Sequence, residues 1–214
     1  IYTVEGYQTV PNGWSKRLSS FRARNALFEV VYRMREYQYG PRPVRFFILK
    51  NDAEHKLGTT PLPDGLVRVF RDSGRDGLSF LGSQTIAYVP IKDSMELNVG
   101  TDDNVVREIK AMAVSRSNFS YRYDRHRGME LVTGWDGKRI IRDEMRNYSA
   151  RPIRMEIRRI LPGDVEIDAE SVELIDYRTF QYAFDIEPRG KIDFQYSYVE
   201  HLGSNAKQNE IRLR

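Results

Sequence analysis

The run Tyr121-Arg122-Tyr123-Asp124-Arg125-His126-Arg127-Gly128 carries the most ligand-like chemistry in the chain. Read as a strand, whose successive side chains point to opposite faces, it places Tyr121, Tyr123, Arg125 and Arg127 on one face. Aromatic rings stack on sugars or bases, and guanidinium groups clamp phosphates or carboxylates. Trp135 follows in Thr133-Gly134-Trp135-Asp136-Gly137-Lys138, which reads as a hairpin tip. A Trp exposed on a turn is a frequent contact for a glycan or a partner. These five residues form the candidate ligand-binding set. The competing reading is cross-strand Tyr–Arg packing on a sheet face, with Trp135 folded over an edge.

Other chemistry finds little support. The chain has no cysteine, which excludes disulfides, thiolate nucleophiles and cysteine-ligated metal sites. His55, His126 and His201 share no metal-ligand spacing and read as exposed loop or strand-end residues. No Gly-x-Ser-x-Gly elbow and no phosphate-binding glycine loop occurs. Asp102-Asp103 could supply half of a glycosidase pair, but neighbours on a strand face opposite ways, so a loop or helix cap is the expectation. Asn118-Phe119-Ser120 and Asn147-Tyr148-Ser149 are glycosylation triplets, relevant only in a eukaryotic secretory setting. No catalytic residue, metal or cofactor is therefore assigned.

The 214 residues carry 34 basic side chains against 30 acidic ones, too even a balance to point to nucleic acid. The basic set is 26 Arg and 8 Lys, a bias that suits fixed pairing with carboxylates or phosphates. No apolar run approaches the ~18 residues of a membrane helix. The chain starts at Ile1 with no basic and apolar leader before it, so it reads as a mature form or an excised fragment.

Elements that could position these side chains are mostly strands. Phe180, Tyr182, Phe184 and Ile186 alternate with polar or small residues, as do Ile192, Phe194, Tyr196 and Tyr198, and Ile153, Met155 and Ile157. Such period-two patterns put one face on a core and the other in water. Pro63-Asp64-Gly65, Asp72-Ser73-Gly74, Asp136-Gly137, Pro162-Gly163-Asp164 and Pro188-Arg189-Gly190 supply turns between them. Strands are expected near 2–9, 15–22, 26–38, 43–50, 66–72, 78–89 and 94–99. A second set is expected near 111–123, 129–134, 138–149, 152–160, 164–168, 171–177, 179–187 and 190–201. Residues 101–116 fit strand and helix equally, and Ile211 and Leu213 could add an edge strand to a polar tail. The fold class is all-β: two mostly antiparallel, immunoglobulin-like β-sandwich domains in tandem, 1–106 and 107–214, rigidly joined.

The stretch VRFFILKND…KLGTTPLPDGLVRVF…GLSFLGSQTIAYVPIKDSMELNVGTDDNVV, from Val44 to Val106, resembles the C-terminal part of the family catalogued as domain of unknown function 4139. The residues that carry the resemblance include Asn51, Leu57, Gly58, Pro61, Leu62, Pro63, Gly65, Val67, Arg68, Val69, Phe70, Leu78, Phe80, Leu81, Gly82, Leu97 and Gly100. Downstream, Asn147, Ile153 to Ile157, Leu161-Pro162-Gly163 and Ile192 to Val199 continue it. Read physically, these are turn and core positions, with Gly82 and Gly100 expected at strand ends. The resemblance carries no catalytic residue across. It implies a bacterial protein of the cell envelope, often preceded by a signal peptide and a helical region, of which this chain is the C-terminal piece.

The function expected is non-enzymatic: binding or scaffolding of a protein or envelope polymer, in the periplasm, on the outer envelope or secreted. One alternative is a module for a carbohydrate or an anionic polymer. Another is a pair of accessory domains for an enzyme whose active site lies outside this fragment.

Overall fold

Alternation of apolar and polar side chains governs the backbone throughout. Ile153, Met155 and Ile157 are buried, while Arg154, Glu156 and Arg158 between them face outward. The computed structural model describes residues 7–18, 22–58, 60–74, 77–168 and 172–207. The described residues are nearly all β, with twelve strands in several sheets and one four-residue helix. None of their helices is long and apolar enough to cross a membrane.

The chain divides into two units, residues 1–30 with 45–100 and residues 31–44 with 101–214. In the first, β2 (Val44–Lys50) neighbours β5 (Ser94–Thr101), and β3 (Gly65–Asp72) pairs antiparallel with β4 (Leu78–Ile86). Phe46, Leu62, Val89, Leu97 and Val99 are buried there. Gly82 was expected at a strand end, but it lies inside β4 beside the bulge opposite Val69 and Phe70.

In the second unit, β1 (Glu29–Met34) pairs in parallel with β8 (Ile153–Ile160), which pairs antiparallel with β11 (Thr179–Ile186). The two-residue β10 (Glu173–Leu174) borders β11. A second sheet runs in the order β6 (Val105–Asp124), β7 (Met129–Asn147), β12 (Lys191–Gly203), β9 (Asp164–Asp168). Rings of β11 meet rings of β12. Phe180 lies edge-on to Tyr196 at 5.1 Å, Tyr182 lies 4.6 Å from Phe194, and Phe184 lies 5.3 Å from Phe194. Each such pair contributes roughly 0.5–1.5 kcal/mol beyond its buried area.

The same device closes a corner in each unit. Asn51, fully buried just after β2, donates its amide to the carbonyls of Thr60, Val89 and Pro90 at 3.1, 3.3 and 3.2 Å. Asn147, at the end of β7, donates to the carbonyls of Arg151, Ile186 and Glu187 at 2.7, 3.3 and 3.0 Å. Each turn that faces an Asn has a proline and a positive-φ residue, Pro90 with Lys92 and Pro188 with Arg189. Leu62 bonds to Val89, one of the residues that faces Asn51, and Leu161 bonds to Arg178.

Several expected boundaries move. Residues 101–116 contain no helix; β6 starts at Val105 and runs as one bulged strand to Asp124. The strands expected near 129–134 and 138–149 are one strand, β7. Its Asp136-Gly137 makes no turn, because β6 and β12 hydrogen-bond it from both sides. The segment 26–38 stops as a strand at Met34 and turns into the short helix α1 (Glu36–Tyr39). Of the strands expected near 2–9 and 15–22, residues 2–6 and 19–21 lie outside the described residues, and residues 7–9, 15–18 and 22 are not in strands. Ile211 and Leu213 also lie outside the described residues.

Candidate functional site

Beyond Gly134, where β12 ends, β6 and β7 continue as a two-stranded ribbon. Alternation puts Tyr121 and Tyr123 on one face, opposite Val132 and Glu130 of β7. Phe119 leads into the same strip, its ring 6.4 Å from that of Tyr121. The exposures of Phe119, Tyr121 and Tyr123 are 44%, 58% and 59%. Nothing among the described residues covers these rings, because a two-stranded ribbon has no second layer behind it.

The five candidate residues do not share one face. Tyr121 and Tyr123 do, but the strand ends at Asp124, so Arg125 and Arg127 lie in the turn. The Asp124 carboxylate builds that turn by accepting the backbone N–H groups of His126 and Arg127 at 2.9 and 3.3 Å. Gly128, at φ 64°, closes it. Arg127 reaches Asp124 only at 3.8 Å. Trp135 is not at a hairpin tip. It is half-buried in mid-strand, opposite the bulge at Asn118 and Phe119, with the Arg116 guanidinium 5.3 Å from its ring.

Two polar clusters in the same unit escaped sequence reasoning. Arg107 of β6 forks onto Asp143 of β7, its Nε donating to both carboxylate oxygens at 2.8 and 3.0 Å. The Tyr182 hydroxyl also donates to Asp143, and both side chains of the ion pair are buried. Burial works against the Arg107 charge, yet Asp143 holds its pKa above the usual guanidinium value. Burial, with the Asp143 charge beside it, pushes the Tyr182 phenol well up. Burial also pushes the Tyr196 phenol up to about 12, while Arg159 donates to its oxygen. Each of these groups is consumed by its neighbour. Nothing in the sequence marked Asp143 as buried, because it stands in the charged run Arg142-Asp143-Glu144.

The second cluster surrounds His201, which is 8% exposed and so not the exposed strand-end residue expected. It sits opposite Asp136 in the β12–β7 register, with Nδ1 2.7 Å from the Asp136 carboxylate. The Asn118 amide donates to Asp136 at 2.7 Å, and the Asn205 amide at 3.1 Å. Hydrogen bonds from Asn118, His201 and Asn205 hold the Asp136 pKa down to about 2, and Asp136 raises that of His201. Glu166 of β9 lies 3.4 Å from His201 Nε2 and also binds Lys207 at 2.9 Å. Gly134 and Gly203 permit this closure, since a Cβ on Gly203 would meet the Thr133 carbonyl at 2.0 Å.

Asp52, Glu54 and His55 bring three metal-capable groups within 4.8 Å, but Asp52 is already occupied. It accepts the backbone N–H and the ring Nδ1 of His55 at 2.8 and 2.7 Å, and the first of these holds its pKa down to about 2. Asp102 opens β6 as a loop residue, accepting from the Tyr32 hydroxyl at 2.8 Å and from the Asn104 backbone at 3.0 Å. Both glycosylation triplets have their Asn amide engaged, Asn118 with Asp136 and Asn147 with three carbonyls. No known family profile, no curated protein and no solved structure matches the chain.

Proposed function

We propose that the chain is a non-enzymatic binding protein of the bacterial cell envelope or of the secreted space. On this reading its units are immunoglobulin-like β-sandwiches, and the β6–β7 ribbon is its contact surface. One observation carries the reading: three rings, Phe119, Tyr121 and Tyr123, stand exposed in one strip on a ribbon with no covering layer. A folded chain does not gain from exposing such a strip, and exposed aromatic area of this kind marks contact sites. The resemblance of residues 44–106 to an envelope family supports the location. The perturbed groups of the core support the absence of catalysis, because Arg107, Asp143 and Tyr182 satisfy one another.

The ligand class that fits the tip is an anionic polymer. Arg125 has no acid at ion-pair distance among the described residues, and Arg127 has only the long contact to Asp124. No guanidinium lies over Tyr121 or Tyr123 among the described residues. Rings on the strand and weakly paired cations in the adjoining turn suit a polysaccharide that bears carboxylates.

The test is titration with alginate at low salt, comparing wild type with Tyr121→Ala/Tyr123→Ala and with Arg125→Ala/Arg127→Ala. Binding should fall at least tenfold in both variants, and added salt should weaken it in the wild type. Equal binding in all three proteins refutes the ribbon as the contact surface. Loss in the tyrosine variant alone, with no salt effect, replaces the anionic polymer by a neutral one.

A further inference from the structure

A second site lies on the outward face of the β8–β11 pair and does not depend on the ribbon. An open cleft of about 440 Å³ is lined there by Arg35, Arg154, Glu156, Arg158, Glu173 and Gln181. That volume falls in the range of small-molecule sites, ~300–1,000 Å³. Alternation along β8 brings the charged residues together, since Arg154, Glu156 and Arg158 share the face opposite the buried Ile153, Met155 and Ile157. The antiparallel register sets Gln181 beside Arg158 and the small Ala183 beside Glu156.

The acids of the cleft already have partners. Glu156 accepts from Arg33 Nε of the adjacent strand at 3.0 Å. Glu173 accepts from the Gln181 amide at 2.6 Å. The Gln181 oxygen in turn accepts from Arg158 Nη2 at 3.0 Å, which fixes one prong of that guanidinium. Another donor of the fork is unfilled: Arg158 Nε is buried and without a hydrogen-bond partner. Arg35 makes one long contact, 3.4 Å, to the neutral Gln38. Arg154 comes no closer than 3.6 Å to Asp185 and 3.7 Å to Glu156. Among the described residues, neither Arg35 nor Arg158 has a carboxylate at ion-pair distance.

A guanidinium Nε withdrawn from water with no partner is costly, and a planar fork of N–H groups matches two oxygens of one anion. We propose that this cleft binds an oxyanion, a phosphate monoester or a carboxylate, borne on a small polar molecule. Arg158 clamps the oxyanion from the floor with Gln181 holding its orientation, Arg35 approaches from the end of β1, and Arg154 adds charge at the rim. Glu173 remains to accept a hydroxyl of the carrier.

Isothermal titration of the full chain at low salt, with glucose 6-phosphate, glucuronate and inorganic phosphate as probes, tests this. At least one probe should bind saturably below about 20 mM. Arg158→Ala and Arg35→Ala should each weaken that binding tenfold or more. Arg158→Lys, which keeps the charge and loses the fork, should weaken it several-fold, and Arg24→Ala elsewhere should leave it unchanged. Preference for the sugar phosphate assigns the site to phosphate, preference for glucuronate to carboxylate. Binding of inorganic phosphate alone shows that no carrier is recognised and overturns that part of the proposal. No saturable binding of any probe overturns the whole, as does binding that the Arg158 and Arg35 variants leave intact. Should an alanine variant not melt cooperatively, amide shift mapping on the wild type decides: perturbations must centre on β8 and β11, and perturbations elsewhere overturn the site.

Discussion

At the scale of single residues, the buried ion pair sets the largest expected effects. Asp143 answers both the Arg107 guanidinium and the Tyr182 hydroxyl. Asp143→Asn leaves Arg107 buried and uncompensated, so urea denaturation should show a loss of about 3–5 kcal/mol. Tyr182→Phe removes one donor and keeps the ion pair, so the loss should be about 1–2 kcal/mol. The His201–Asp136 pair makes stability depend on pH. The folded His201 pKa is raised, so its contribution is complete below the unfolded value of about 6.5 and fades as pH rises through the folded value. The folded Asp136 pKa is lowered to about 2, so its contribution is complete above about 4 and fades as pH falls toward 2. Both contributions are therefore present between about pH 4 and 6.5. Melting temperature should decline on the alkaline side of that window, and Asp136→Asn should remove most of the decline. Glu166 and Lys207, which also face the pair, hold each other toward their charged forms, the Glu166 pKa lowered and that of Lys207 raised.

Among the elements, β6 is the exposed liability. It is twenty residues long and forms an edge of its sheet, so its outer N–H and C=O groups are open to pairing with another chain. Two irregularities interrupt that edge. Met112 is an extra residue between the pairs Ala111–Ile141 and Ala113–Ile140, and Asn118 with Phe119 stands opposite Trp135 alone. Asn118 adopts φ 51°, a left-handed conformation that bends the strand. Lys110, Arg116 and Arg122 along the strand add charge. Deleting Met112 removes one interruption and makes the pairs Ala111–Ile141 and Ala113–Ile140 consecutive, so the edge becomes regular over that stretch. Sedimentation analysis should then show dimers or larger species where the parent chain shows fewer.

For the whole molecule, the paired asparagine corners predict where each unit opens. Asn51→Ala withdraws three amide hydrogen bonds from the carbonyls around Thr60 and Val89. The cost should be roughly 2–4 kcal/mol, since buried carbonyls lose their donors. Hydrogen exchange should quicken first in β2, β5 and the turn at Pro90. Asn147→Ala should do the same in β7, β12 and the turn at Pro188, with Ser149 also losing its acceptor. Exchange that quickens uniformly in both variants would show that the corners do not anchor their own surroundings.

Period-two alternation was enough to read the β class, and most strands of residues 44–101 and 152–201, directly from residue order, because it reports a side chain's face without reference to any partner. It also located Tyr121 and Tyr123 on one face, a local property of a strand. What alternation cannot report is which faces meet. The rings of Phe180 and Tyr182 and those of Tyr196 and Phe194 were each legible as a stripe, but their contact joins strands that share no hydrogen bond. Asp143 and His201 look like surface residues in sequence because burial is decided by neighbours far along the chain, Tyr182 and Asp136 among them. The Asp136-Gly137 pair carries a turn signal that lost to pairing from both sides. Arg125 and Arg127 left the tyrosine face because the Asp124 carboxylate captured the backbone of the turn. The arginine cleft existed in the sequence only as an excess of Arg over Lys. Alternation along β8 brought Arg154 and Arg158 to one face, the β1–β8 pairing brought Arg35 beside them, and the partners of Glu156 and Glu173 left Arg35 and Arg158 without a carboxylate among the described residues.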